Sequence, residues 1–145
     1  MTSISSARCR LPAVLAGLLA LAACDAAPVP APVAAPAAQS AVILADAFAP
    51  RIGEVAPEGE VLRRSEARGD AWFLAFQFPF FNGRYQPDEE QVVLDRFVAL
   101  FISDNCRGVA VPQFFASGGS IAISALRHDG QELGSRILDS CEGVN

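Results

Sequence analysis

The side chains of this chain that could do chemistry are few, and their spacing does not fit catalysis. His128 is the only histidine, and a serine or cysteine nucleophile needs such a base beside it. The adjacent acids Glu89 and Glu90 follow a proline, where they suit the positive end of a helix dipole. Gly118-Gly119-Ser120 precedes a predicted strand, so it presents no helix N-terminus to a phosphate. We therefore expect no catalytic residues and no cofactor.

Cys24 is the cysteine with the most informative surroundings, because it ends the segment Leu21-Ala22-Ala23-Cys24. That segment closes an apolar run, residues 11–23, which follows Arg8 and Arg10. The run is too short for a membrane-spanning helix, which needs roughly 20 residues. A positive end, a short apolar segment and small residues at a cleavage site are the parts of a secretory signal. The segment resembles the lipobox of bacterial lipoproteins; the alternative is an ordinary signal peptide with an unmodified Cys24.

The resemblance has consequences for processing and location. It implies that residues 1–23 are removed as a signal peptide and that Cys24 becomes the first residue and carries acyl chains such as palmitate. The protein would then be held on a bacterial membrane by a lipid anchor, with its folded part in the periplasm. Asp25 follows the cysteine, and in enteric lipoproteins an aspartate there favours the inner membrane. The choice between inner and outer membrane stays open.

The other cysteines follow from the same resemblance. Cys9 would leave with the signal peptide, so that only Cys106 and Cys141 remain as thiols. In an oxidising periplasm two such cysteines typically form a disulfide. A metal site is the rival, but two thiols and His128 fall short of the four ligands of a structural zinc site. We expect a Cys106–Cys141 disulfide and no metal.

The charge of the processed chain limits its partners. Without residues 1–23, nine arginines face sixteen acidic residues, and the chain has no lysine. A negative balance repels phosphate backbones. The expected partners are the membrane, reached through the acyl chains, and another envelope protein, rather than nucleic acid.

The composition divides the processed chain into a tether and one domain. Residues 24–40 are rich in alanine and proline and should remain extended and mobile. Residues 41–145 are long enough for a single small domain. Within it, residues 41–48 are apolar but too short to distinguish a helix from a strand.

Hydrophobic periodicity predicts an α+β domain. Strands are predicted at 60–66 and 72–80, and the second carries an alternating apolar stripe of Trp72, Leu74, Phe76, Phe78 and Phe80. A helix follows at 87–103, and two strands at 120–128 and 131–139 are joined by an Asp129-Gly130 turn of type I′. We expect a small antiparallel sheet of three or four strands with one main helix on its apolar face. The alternative is a small all-β barrel, which a well-formed helix would exclude.

Residues 107–119 are predicted to be a loop long enough to have a function. This segment contains Phe114 and Phe115, and adjacent residues of an extended segment point in opposite directions. One ring could therefore pack on the core while the other contacts a partner. The alternative is that both rings fold under and cover the open end of the sheet.

Two functions from different classes are compatible with these features. The first is a non-catalytic binding or assembly module of the cell envelope, held on the membrane as a lipoprotein. The second is a carrier of a small ligand or lipid, which would use a cavity behind the aromatic strand. A cavity of a few hundred Å³ beneath Trp72 and Phe76 would favour the carrier. A filled core with an exposed apolar patch would favour the module.

Overall fold

The computed structural model describes residues 35–81, 83 and 85–142. The predicted signal peptide, Cys24 and most of the predicted tether lie outside the described residues. In chain order the elements are α1 (Ala37–Phe48), a short 3-10 helix (Ala49–Arg51), β1 (Val61–Arg68), β2 (Ala71–Gln77), α2 (Pro87–Asn105), α3 (Ala110–Ala116), β3 (Ser120–Leu126) and β4 (Glu132–Leu138).

The four strands form one mixed sheet in the order β1-β2-β3-β4. The outer pairs β1–β2 and β3–β4 are antiparallel, as expected, whereas the central pair β2–β3 is parallel. The parallel pair arises because α2 and α3 lie between these strands and return the chain to the same end of the sheet. Since β1 and β4 do not pair, the sheet is open. The α+β class is confirmed and the barrel alternative is excluded.

The helices cover one face of the sheet. On β2 this face carries Trp72, Leu74 and Phe76, which match the predicted stripe, and β3 adds Ile121 and Ile123. The β2 strand ends at Gln77, earlier than expected, but Phe78 beyond it is still buried in the same core. The helix α1 packs on β1 and β2, while α2 reaches β4. The opposite face carries no helix within the described residues.

The segment that the sequence left undecided between helix and strand is helical. Ala41, Leu44 and Ala45 of α1 are buried, which is the spacing of one helix face. Their position is fixed by a polar contact at the helix end, where the Ser65 hydroxyl donates to the carbonyl oxygen of Ala45 at 3.0 Å. Because α1 begins at Ala37, it includes the last four residues of the predicted tether.

The connection between β3 and β4 has three residues instead of two. The N–H of Arg127 donates to the Gln131 carbonyl at 2.8 Å, and the N–H of Gly130 donates to the Arg127 carbonyl at 3.0 Å. Residues 128–130 therefore form the turn, with Gly130 at a φ of 83°. A glycine in this left-handed conformation is typical of three-residue hairpins with a bulge. The type I′ prediction was wrong for that reason.

Candidate functional site

The predicted disulfide is present. Cys106 follows α2 and Cys141 follows β4, and their sulfur atoms are 2.05 Å apart with a Cα–Cα distance of 5.9 Å. Both cysteines are partly buried against the hydrophobic core. The bond therefore joins the end of the main helix to the end of the last strand.

Residues 107–119 are not the loop that the sequence suggested. They contain α3, in which Phe114 is 1% exposed and belongs to the core. Phe114 cannot meet a partner, so its assignment as a contact residue is corrected. Phe115 is half-buried, with its ring centroid 6.1 Å from that of Phe114. It is the ring of the two that a partner can reach, and its contact role stays a prediction.

The titratable side chains that the sequence singled out have structural contacts. His128 is exposed on the hairpin turn, with Nδ1 2.9 Å from the carbonyl oxygen of Phe81. Glu89 accepts a hydrogen bond from the N–H of Gln86 at 2.9 Å and so caps α2. Glu90, however, is 2% exposed and pairs with Arg127, so this part of the helix start is not solvated. Hydrogen bonding to Glu90 raises the pKa of Arg127 and keeps its guanidinium charged.

Within residues 35–81, 83 and 85–142, no group of three or more His, Cys, Asp or Glu side chains is arranged to hold a metal ion. None of the helices in these residues combines the length and apolar character needed to cross a membrane.

Trp72 does not line a cavity. It is fully buried, its indole N–H donates to the Ser65 hydroxyl at 3.1 Å, and the Phe48 ring meets it edge-on at 4.6 Å. Trp72 therefore belongs to the hydrophobic core, and it lines neither of the two clefts described below.

A groove of about 530 Å³ opens beside Phe76, further along the same strand. It lies between residues 51–60 and the C-terminal half of α2. We call it the aromatic groove, and its apolar floor is formed by Phe48, Leu62, Phe76, Phe97 and Phe101. Its size is within the range of about 300–1,000 Å³ typical of ligand pockets.

Edge-on ring contacts hold the floor together. The ring centroids of Phe76 and Phe97 are 4.8 Å apart, and those of Phe76 and Phe101 are 5.8 Å apart. Such T-shaped pairs add to the stability that burial provides. The floor is thus a fixed surface made by side chains of α1, β1, β2 and α2.

Residues 51–60 form the second wall because they pair with the free edge of β1. The N–H of Gly53 donates to the Leu62 carbonyl at 2.8 Å, and Val55 forms an antiparallel bridge with Val61. Within the segment, the N–H of Ala56 donates to the Glu60 carbonyl at 2.9 Å. Gly59 has a φ of 96°, a left-handed conformation that glycine adopts at no steric cost. These bonds hold residues 51–60 at the edge of β1, where they face α2 across the groove.

The mouth of the groove is apolar and its rim is acidic. Val55 is 70% exposed and Leu100 is 42% exposed at the mouth. The charged residues that line it are Arg51, Glu54, Glu58, Glu60 and Asp104. The one arginine in this set bonds to Glu54 at 3.3 Å, so the net charge of the rim is negative.

Glu60 is the unusual member of the rim. The residue is 9% exposed, and it lines both the aromatic groove and a neighbouring cleft of about 250 Å³. Among the described residues, no side chain forms a hydrogen bond or ion pair with its carboxylate. Every fully buried side-chain oxygen among the described residues has a hydrogen-bond partner, so the carboxylate of Glu60 reaches solvent through the clefts that the residue lines. The neighbouring cleft also contains Phe78, Phe80 and Arg96.

The comparisons with known proteins concern the fold. No family model matches the chain, and no curated protein sequence matches it. Among solved structures, the type II secretion system pilotin AspS from Vibrio cholerae is similar, with a TM-score of 0.54 and 17% identity over 73% of this chain and 90% of that chain. A candidate secreted protein from Pseudomonas aeruginosa has a TM-score of 0.50 and 12% identity, over 76% of this chain and all of the other. Neither is described as an enzyme, and at these identities the likeness concerns the fold.

The sequence offered a cavity beneath Trp72 and Phe76 only as the mark of the carrier alternative, and the groove lies beside Phe76 but not beside Trp72. The loop wall and Glu60 were not predicted as parts of a site, since Glu60 appeared only as the first residue of a strand. The one available signal was the pair Gly53 and Gly59 around Pro57, which marks a loop next to the aromatic strand. Nothing in the local sequence indicates that this loop packs against α2.

Proposed function

We propose that this protein is a membrane-anchored, periplasm-facing lipoprotein that acts as a non-catalytic binding or assembly module of the cell envelope. The observation that carries the proposal is the aromatic groove, an apolar surface open to solvent with Leu100 and Val55 at its mouth. Exposed apolar surfaces of this kind typically mark interaction sites.

Two further observations support the proposal. The fold is similar to that of a pilotin which, by its name, belongs to a type II secretion system. The Leu21-Ala22-Ala23-Cys24 segment resembles a lipobox and would supply the anchor. Acyl chains contribute about 0.8 kcal/mol per buried methylene, and more than one chain is needed for stable attachment.

Affinity capture from detergent-solubilised membranes tests the proposal. The module should retain a defined envelope protein, and Leu100→Asp should abolish that retention because it places a charge in the apolar mouth. The matched control is Ile137→Asp, since Ile137 is 78% exposed and lies on the sheet face that the helices leave open. Equal retention by both variants, or no retained envelope protein, would contradict the proposal.

The second candidate is a carrier of a small ligand or lipid, which the groove volume beside Phe76 supports. Native mass spectrometry of protein purified without detergent distinguishes the two functions. A carrier should retain a small molecule of fixed mass that Leu100→Asp displaces, whereas a binding module should appear as the unliganded chain.

A further inference from the structure

The chemistry of the groove indicates which kind of partner segment it binds, and this inference rests on the proposed function. We propose that Glu60 receives an arginine or lysine side chain of a partner polypeptide, and that neighbouring apolar side chains of the same segment fill the aromatic groove.

The first argument is the unpaired carboxylate. Glu60 is 9% exposed, and what access it retains opens into the two clefts that it lines. Arg96 lines the smaller cleft as well, but no described side chain lies within ion-pair distance of the Glu60 carboxylate. A cation from a partner would complete the pair in a partly desolvated place, where ion pairs and charge-assisted hydrogen bonds are stronger than in water.

The second argument is the position of Glu60 among aromatic rings. Phe97 lines both clefts together with Glu60, while Phe76 lies on the floor of one and Phe78 on the floor of the other. The faces of such rings attract cations, and the long stems of arginine and lysine pack well on apolar surfaces. The site therefore suits the charged head and the apolar stem of one side chain.

The third argument is the charge and shape of the rim. Glu54, Glu58 and Asp104 also line the aromatic groove. Although Glu54 pairs with Arg51 and Asp104 pairs with Arg107, the acids outnumber the arginines there, which favours the approach of a positive partner. The two clefts together follow α2 from Val93 to Asn105, a distance of about 18 Å at the rise of an α-helix. Two open clefts that share Glu58, Glu60 and Phe97 fit a segment of a polypeptide better than a compact small molecule, which is usually mostly enclosed by its pocket.

Peptide selection tests the proposal with a defined probe. Random twelve-residue peptides are selected against the full-length chain held in lipid nanodiscs, and the best peptide is labelled for fluorescence anisotropy. We expect the selected sequences to share an arginine or lysine next to aromatic or aliphatic residues. Replacing that arginine with citrulline, or that lysine with acetyl-lysine, should weaken binding at least about tenfold.

Variants of the chain identify the site. Glu60→Gln should weaken the peptide at least about tenfold and should remove the difference between the cationic peptide and its neutral analogue. Glu66→Gln is the control, because Glu66 is an exposed β1 carboxylate that pairs with Arg68 at 3.0 Å outside the groove. The unfolding curve of Glu60→Gln should match that of the unsubstituted chain, since no internal partner is lost.

The inference would be overturned if the selected peptides lacked a cation, or if Glu60→Gln and Glu66→Gln changed the peptide affinity equally. It would also be overturned if Glu60→Gln unfolded the protein, or if the protein bound spermidine as tightly as the peptide. The last would make the groove a site for small cations. If Glu60→Gln still captures an envelope protein that Leu100→Asp does not capture, the role of Glu60 is refuted and the proposed function stands.

Discussion

The guanidinium of Arg127 reaches the buried carboxylate of Glu90, with Nη2 2.7 Å from Oε2. The Glu90 side chain is 3% exposed and that of Arg127 is 30% exposed. Glu90 lies in the first turn of α2, whereas Arg127 follows β3 at the hairpin turn. The pair therefore attaches the start of α2 to the end of β3, and the two residues are 37 positions apart in the sequence.

Removing Arg127 should destabilise the fold more than removing an exposed arginine. Arg127→Ala leaves Glu90 buried without its counter-charge, which is costly. Arg107→Ala is the control, since Arg107 pairs with Asp104 at 3.7 Å with both side chains mostly exposed. That substitution should change the free energy of unfolding by no more than about 0.5 kcal/mol. Urea denaturation of the two variants measures the difference, and equal curves would contradict the assignment.

The pH dependence of this pair follows from the raised pKa of Arg127. A group whose pKa is higher in the folded state than in the unfolded state stabilises the fold. That stabilisation is fully present at pH values below the unfolded-state pKa and is lost as the pH rises through the folded-state pKa. Because both values lie in the strongly alkaline range, ionisation of Arg127 should not change stability between pH 6 and pH 9. The test uses a Glu90→Gln background, where no unpaired buried carboxylate is left to titrate when Arg127 is removed. In that background the effect of Arg127→Ala on stability should be constant across the window in urea titrations.

The disulfide should contribute substantially to stability. In the chain-entropy treatment, closing a loop of 35 residues between Cys106 and Cys141 adds about 4 kcal/mol to the free energy of unfolding. The double substitution Cys106→Ala, Cys141→Ala should lose about that amount, and a reductant should have no further effect on it. Thiol labelling of the unfolded, unreduced chain provides the independent test. Labelling at both positions would refute the bond.

Gly119 should tolerate no side chain, because the Phe114 ring lies against it. A Cβ at position 119 would overlap Cε2 of Phe114, so the ring would have to move within the core. Gly119→Ala should lower the free energy of unfolding by about 1–3 kcal/mol or more. Gly108→Ala is the matched control, since its nearest atom would be 3.8 Å away. Equal thermal stability of the two variants would contradict this packing.

Local patterns predicted the parts of the fold that depend on local chemistry. Alternation identified β2, and a proline followed by three acids identified the start of α2. The parallel pairing of β2 with β3 was missed because it depends on how the crossover packs, which no short pattern encodes. The helix α3 was missed because Pro112 and the Gly118-Gly119 pair resemble a loop, although proline is tolerated in the first turn of a helix.

The candidate site was less predictable than the fold, for a physical reason. The groove exists because residues 51–60 pair with the edge of β1 and face α2, so its walls come from segments distant in sequence. The burial of Glu60 follows from that packing and not from its neighbours. Cys106 and Cys141 were predictable because the compartment and the number of remaining thiols leave one partner for each.

Lipidation is a prediction that concerns residues outside the described part of the chain. In a bacterial host, the unsubstituted protein should incorporate labelled palmitate and fractionate with membranes. Cys24→Ser should remove the label and either release the protein to the soluble periplasmic fraction or leave an uncleaved precursor. A labelled, processed and membrane-bound Cys24→Ser protein would contradict the anchor.

Site-specific photo-crosslinking in living cells shows whether the aromatic groove touches another protein. A photoreactive phenylalanine analogue replaces Leu100 at the groove mouth in one variant and Ile137 on the open sheet face in another, both being exposed positions. We expect one discrete crosslinked envelope protein from position 100 and none from position 137. No adduct at position 100, or the same adduct from both positions, would contradict it.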